Sequence, residues 1–422
     1  MKKITTIGLA VTAIAATMVL ASCEKKAETA AGAGEERSAA FSTGRQVPVY
    51  NANWYPKEFP AVNAPAIPFQ ADTKFFDLPL PLHFGEIVDT STDSKGNIYI
   101  LSRGEVNGNI SGGSASQVFE FTPQGKFIRE LGRNIYSFGY GHSVQVDKDD
   151  NPWVVDKGTD MVTKFDNKTG KVLMVLGRRE EMNAHYWAEK GEEDRNDSPV
   201  GRLGEPAGIA WDSQGNIYVA DGYVHSRVAK WDKNGKWLGS WGKHGTGPGE
   251  FDVVHGVQVD SKDRVWVADR ANGRLQVFDT NGKFLKEVIV HVPTPAVQPQ
   301  LNHSFPTGAN VFEERGTESL HFRPGTPASF CITKDGSDRI FVGDGYPGRL
   351  YKLDIEGRPL GWFGHGVGKN PGYTGALHGI ACPNENLIYT AEFQNWVVQR
   401  WVLNPTGPTT PETETPGPSK AP

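Results

Sequence analysis

Between Gly201 and Val290 apolar and polar positions alternate in short runs, and the same pattern is written twice. The first half reads GEPAGIAWDSQGNIYVADGYVHSRVAKWDKNGKWLGSWG, the second GEFDVVHGVQVDSKDRVWVADRANGRLQVFDTNGKFLKEV. Each contains an alternating run, a polar turn, a run ending in Ala-Asp, a loop, a third run, an Asn-Gly turn and a fourth run. Alternation with period two describes strands with one buried face, and tight Asn-Gly turns join antiparallel neighbours. A four-stranded unit of about forty residues cannot bury both faces alone, so copies must stack around a common axis as β-propeller blades do.

The large aromatic of the second strand marks the register of each unit, at Tyr99, Trp153, Tyr218, Trp266, Phe341 and Tyr389. The pattern therefore predicts an all-β fold, a six-bladed β-propeller over residues 45–403. Helix signals are few, and Gly (49) and Pro (28) are abundant. Spacing between the marks is uneven because of loop insertions at Gly104 to Ser116, Arg178 to Val200 and His291 to Phe322. The last unit stops at Leu403 after three strands, so a segment between Gln46 and Leu82 is expected to supply the fourth.

The ends carry different information. Lys2 and Lys3 precede an apolar stretch from Ile4 to Leu20 and then Leu20-Ala21-Ser22-Cys23. This resembles the bacterial lipobox, which implies a signal peptide over 1–22 and acylation of Cys23; an ordinary signal peptide with a chance Cys is the alternative. Glu24 after the Cys favours the outer membrane by the same resemblance. The apolar run is short for a stable span, so the anchor is lipid, and the protein is expected on the periplasmic side of a bacterial cell envelope. Residues 23–44 read as a flexible tether and 404–422, rich in Pro, Thr and Glu, as a disordered tail. With Cys23 taken by lipid, only Cys331 and Cys382 remain, and two buried free thiols are expected. A formal charge of -5, from 44 basic and 49 acidic residues, excludes a nucleic-acid partner.

Eleven residues before each mark the innermost strand begins, at Val88, His142, Ala207, His255, Phe330 and His378. Histidine occupies every second blade, in a chain with only 11. Equivalent positions in alternate blades lie about 120° apart around the channel at one depth, a trigonal pocket for a metal. Three imidazoles with an open fourth position suit catalytic zinc; channel-lining histidines without a metal remain the alternative. The loops after the marks open on the same face and begin with Arg103, Lys157, Gly222-Tyr223, Arg270, Gly345-Tyr346 and Phe393. Arginine supplies a carboxylate fork and a phenol beside a metal could serve as base, although surface arginines are common. Asp156, Asp221, Asp269 and Asp344, with Arg227, Arg274 and Arg349, recur across blades and so read as loop braces rather than chemistry.

The stretches VADGYVHSRVAKWDKNGKWLGSWG, VHGVQV and WVADRANGRLQVFDTNGKF resemble the NHL-repeat propeller of peptidyl-α-hydroxyglycine α-amidating lyases. The resemblance is close from Arg202 to Lys286, recognisable from Ile98 to Gly177, and reduced near the C-terminus to HGI and its strands. It implies a zinc site on His142, His255 and His378, a catalytic Tyr223 in the DGY motif, an active-site Arg103 in ILSRG and a substrate-binding Arg270 in ADR. It also implies an enzyme that cleaves a small peptidyl or N-acyl α-hydroxyglycine to an amide and glyoxylate, and the protein is expected to be a monomer. Gly379 stands where the animal enzymes have a calcium-ligating Asp, so calcium is not expected. No copper monooxygenase sequence is present that would make the hydroxyglycine.

Two other readings stay open. Many NHL propellers are binding modules without activity, which here would sit anchored at the envelope. A lactonase-type hydrolase would instead need carboxylates and Asn around a calcium ion in the channel, against which the histidine ring argues.

Overall fold

The computed structural model describes residues 55–104, 116–178, 201–293, 323–345 and 348–406. The signal peptide, Cys23, the tether, Tyr346 and the tail beyond residue 406 lie outside the described residues. Six four-stranded antiparallel sheets form, and no helix occurs among the described residues. Their innermost strands are Glu86–Thr92, Gly141–Val146, Pro206–Trp211, Val254–Val259, Ser329–Ile332 and Leu377–Asn384. Each packs on the next, and Glu86–Thr92 meets Leu377–Asn384, so the ring is closed. This is the expected six-bladed propeller.

Every aromatic mark lies on a second strand with at most 2 % of its surface exposed. Clusters of buried side chains bridge neighbouring blades: Trp266 with Val342 and Tyr351, Trp153 with Ile209 and Trp231. Burying one such aromatic contributes on the order of 3 kcal/mol. The core is therefore the set of interfaces between blades, and no blade would be stable alone.

In four of the six blades the turn far from the histidines is built from one device. Asp93, Asp147, Asp212 and Asp260 each follow an inner strand, and their carboxylates accept the amide hydrogens two and four residues on. A second set clasps blades together. Asp150, Asp263 and Asp338 have φ of 63°, 56° and 49°, a left-handed conformation that Asp tolerates better than most residues. Their carboxylates hold Ser94, Ser213 and Ser261 of the preceding blade. Between blades 2 and 3 the corresponding residues are Lys148 and Gly215, which cannot form this clasp.

Closure uses the N-terminal segment. Phe69–Asp72 pairs antiparallel with Val397–Leu403, Phe69 opposite Leu403 and Asp72 opposite Arg400, completing the sixth blade. One expectation is overturned: Cys331 and Cys382 form a disulfide, with Cα atoms 6.1 Å apart. They sit on the inner strands of neighbouring blades, Cys331 opposite Phe341, and Ala381 beside Cys382 opposite Tyr389. The two thiols are thus nearly level, although their distances in sequence from the marks differ. The bridge closes a loop with a sequence separation of 51. Chain-entropy arguments give such a loop about 4 kcal/mol. Cys331→Ser/Cys382→Ser should accordingly lose about 2–4 kcal/mol in denaturant melts. A variant as stable as the parent would show that the blades' packing alone closes this sector.

Candidate metal centre

His142, His255 and His378 project into the axial channel, and their nearest ring nitrogens lie within 4.8 Å of one another. Ring centroids are 4.6–5.1 Å apart, each pair close to edge-on. A local backbone feature aims them. In each of these three blades the pairing of first and second strands skips one residue, and the residue skipped is the histidine. A β-bulge leaves one residue out of the ladder and turns its side chain away from the regular pleat. Val253 and Ala376, two residues ahead of His255 and His378, hold φ of 61° and 54°. For a β-branched valine that is a strained conformation, and the backbone tolerates it where it steers the strand into the bulge.

The bulges in the intervening blades have a matching use. Val88 and Ala207 are the skipped residues of blades 1 and 3, so their carbonyls are free of the ladder. His142 Nδ1 donates to the Ala207 carbonyl and His378 Nδ1 to the Val88 carbonyl, both at 2.7 Å. His255 makes the equivalent bond to Ala328. A carbonyl only accepts, so each Nδ1 carries the hydrogen and each Nε2 keeps a lone pair for the centre of the channel. Sequence register placed Phe330 in this row. The turn between the first two strands of blade 5, Thr333 to Arg339, is two residues longer than those of blades 1 to 4, and Ala328 takes the place instead. The length of the KDGSD turn was the available signal.

These residues fit a metal. Three neutral nitrogen donors converge, and a tetrahedral ion at about 2.0–2.1 Å would need each ring to move inward by under about 1 Å. The three could hold a divalent ion, whose identity the donors alone do not fix. Burial, followed by the charges of the neighbouring histidines and of Arg103, Lys157 and Arg270, holds all three well below the ordinary imidazole value. For His378 the value falls to about 3. The sign follows: a depressed folded pKa means the imidazoles stay neutral as pH drops below 6.5, while an unfolded chain takes up protons. Without metal, the stability they contribute is full above 6.5 and declines as pH falls toward 3. Bound metal should survive dialysis from pH 8 down to about 5, because protons do not yet compete. Metal content that halves near pH 6.5 would contradict this shielding.

Tyr223 completes the constellation. Its hydroxyl lies 3.0 Å from Nε2 of both His142 and His255, at the open side of the trigonal set. Gly222 makes this possible, since a Cβ there would collide with the backbone of Val254. Around the phenol runs an arc of alternating cations and aromatics. The Arg103 guanidinium carbon sits 3.7 Å from the Tyr140 ring centroid, Lys157 Nζ 3.6 Å from that of Tyr223, and the Arg270 guanidinium carbon 5.5 Å from it. Arg103 is buried and donates from Nε to the Gly141 carbonyl at 2.9 Å, with Glu86 3.3 Å away. Arg270 Nε is buried without a hydrogen-bond partner, as a group awaiting an anion would be. Phe393 packs edge-on against His378 at 5.8 Å. Sequence reasoning named Arg103, Tyr223 and Arg270 for this face, and all three are there. It assigned no role to Lys157 or Tyr140.

Deeper in the channel, Asp89, Gln145, Gln258 and Ser329 line the pocket with the histidines. Burial pushes the Asp89 carboxyl up to about 7, despite hydrogen bonds from Ser143, Val144 and Gln145. Gly379 abuts Asp89 so closely that any side chain there would clash with it. The carboxylate in this sector comes from blade 1. The recurring Asp residues act as braces: Asp221 bonds Arg227, His225 and the Gly204 amide, and Asp269 bonds Arg274, Asn272 and the Asp252 amide.

Comparisons with known proteins agree with this architecture. A family model described as a 6-bladed beta-propeller matches residues 202–296. Peptidylglycine alpha-amidating monooxygenase of Rattus norvegicus is 30% identical over 318 residues, 64% of this chain but only 30% of that protein. A probable peptidyl-alpha-hydroxyglycine alpha-amidating lyase of Caenorhabditis elegans is 32% identical over 159 residues, covering 36% of this chain and 40% of its own length. NHL repeat-containing protein 3 of Homo sapiens is 28% identical over 241 residues, 54% of this chain and 56% of its own. The chain is thus similar to amidating lyases and to NHL-repeat proteins, and it spans under a third of the rat monooxygenase.

Proposed function

We propose that this protein is a zinc-dependent carbon–nitrogen lyase acting on peptidyl-α-hydroxyglycine or a similar N-acyl carbinolamide, releasing an amide and glyoxylate. The observation that carries the reading is the phenol oxygen of Tyr223 set 3.0 Å from two imidazole nitrogens of a trigonal donor set. Three neutral nitrogens with one open side suit zinc, which when bound acts as a Lewis acid on a substrate oxygen. Arg270, with its buried unpartnered Nε, receives the substrate carboxylate. Tyr223 serves as the general base that takes the proton of the carbinol hydroxyl. The carbon–oxygen bond becomes a carbonyl, the carbon–nitrogen bond breaks toward nitrogen, and the phenol returns the proton to the departing amide. Arg103, whose charge reaches both His142 and His378, balances the negative charge passing through the site. No oxidant is needed, because cleavage leaves the electron count unchanged.

The direct test supplies benzoyl-α-hydroxyglycine to the purified protein and follows glyoxylate with and without chelator. Chelator-sensitive release is expected. Metal-bearing protein that yields no glyoxylate from this or a peptidyl substrate would leave the propeller as a binding module. We further propose anchorage through lipid on Cys23 at the periplasmic side of a cell envelope, where the Cys331–Cys382 disulfide would persist, and action as a monomer on a small substrate.

A further inference from the structure

The register that brings Arg103 and Arg270 to the channel mouth brings a third cation there. Four residues beyond the aromatic mark the six blades carry Arg103, Lys157, Gly222, Arg270, Gly345 and Phe393. Lys157 is half-buried, and its amide donates to the Tyr140 carbonyl, which fixes the start of its loop. Its Nζ is tied to Glu205 Oε2 at 2.9 Å and lies 3.6 Å from the centroid of the Tyr223 ring, against 5.9 Å for the Tyr140 ring. Glu205 is itself constrained: its φ is 51°, and its amide donates to Asp160 at 2.7 Å. The ammonium is thus held from behind and pressed on the face of one phenol.

We propose that Lys157 is a positioning residue for Tyr223, its ammonium clamping the ring face so that the phenol oxygen stays between His142 and His255. This deepens the lyase reading and uses the same site. The geometry separates the role from that of a substrate anchor. Arg270 offers an unpartnered donor, whereas Lys157 already has a carboxylate and a π face as partners. A phenol has rotational freedom about two side-chain bonds, and Tyr223 is only partly buried where it packs against the cluster around Val254. A cation 3.6 Å from the ring centroid restricts that rotation, an interaction whose loss corresponds to about a tenfold effect when desolvated.

The test compares Lys157→Met, which keeps the stem and removes the charge, with Lys157→Arg, which keeps the charge, and with Glu205→Gln, which removes the tether. Two readouts are taken. With benzoyl-α-hydroxyglycine, Lys157→Met should lower kcat about tenfold with KM within about twofold, Glu205→Gln should fall between it and the parent, and Lys157→Arg should recover most of the loss. With cobalt(II) in the apo-protein, Lys157→Met should shift the visible absorption in the direction that Tyr223→Phe does, with unchanged cobalt stoichiometry and melting temperature. A raised KM at parental kcat would make Lys157 a substrate contact and overturn the proposal, as would parental kinetics and spectrum. If the parent releases no glyoxylate, the lyase reading fails by itself. The cobalt spectrum of Lys157→Met then still decides: a shift sustains the positioning role and an unchanged spectrum refutes it.

Discussion

Substituting phenylalanine for Tyr223 is expected to lower glyoxylate release on the order of a thousandfold while the protein keeps its metal. The change deletes one oxygen and leaves the ring, so packing against the cluster around Val254 and the contact with Lys157 persist. What disappears is the group 3.0 Å from both imidazole nitrogens, the only side-chain hydroxyl the described residues place there. Losing a positioned general base removes about 10²–10⁴ of rate. Because the phenol is not one of the three nitrogen donors, metal content should stay within error of the parent. Steady-state kinetics paired with metal analysis checks both halves. Parental turnover in Tyr223→Phe would refute the proposed base, and metal loss would show the oxygen to be a ligand.

The second large effect belongs to the donors. His142→Ala/His255→Ala/His378→Ala should bind no stoichiometric zinc and release no glyoxylate above background. Its fold should survive, because bulge geometry is held by the strand ladders and each imidazole is bonded to a single carbonyl of a neighbouring blade. Thermal melts with and without chelator supply the control. A ligand that binds only the folded state raises its stability by about 2.7 kcal/mol at a hundredfold excess over Kd. Chelator should therefore lower the melting temperature of the parent and leave the triple variant unmoved. If the parent also ignores chelator, no metal is held at the channel mouth.

Much of this site was legible before any coordinates. The three histidines and the loops bearing Arg103, Tyr223 and Arg270 follow from counting along repeats, since equal steps from equal marks reach equivalent places in a ring. Counting failed where a turn changed length: the two additional residues between Thr333 and Arg339 moved Ala328 into the row that Phe330 seemed to occupy. It failed again for Cys331 and Cys382, whose levels depend on where each hairpin folds back. Lys157 stood in the counted row, yet a lysine at a loop start is ordinary; only its distance to the Tyr223 ring distinguishes it.

What the sequence determined by itself was periodic and local: strand alternation, polar turns, six aromatic marks and a histidine in every second unit. Those properties depend on residues within one turn or one hairpin, so a linear pattern records them. What the tertiary structure decided was convergence. The bulges that turn His142, His255 and His378 inward, the carbonyls that orient them, the β-strand from Phe69 that closes the ring and the cation laid on Tyr223 all join residues from different blades. Such contacts follow from how sheets pack around an axis, and neighbouring residues in a chain carry no record of that packing.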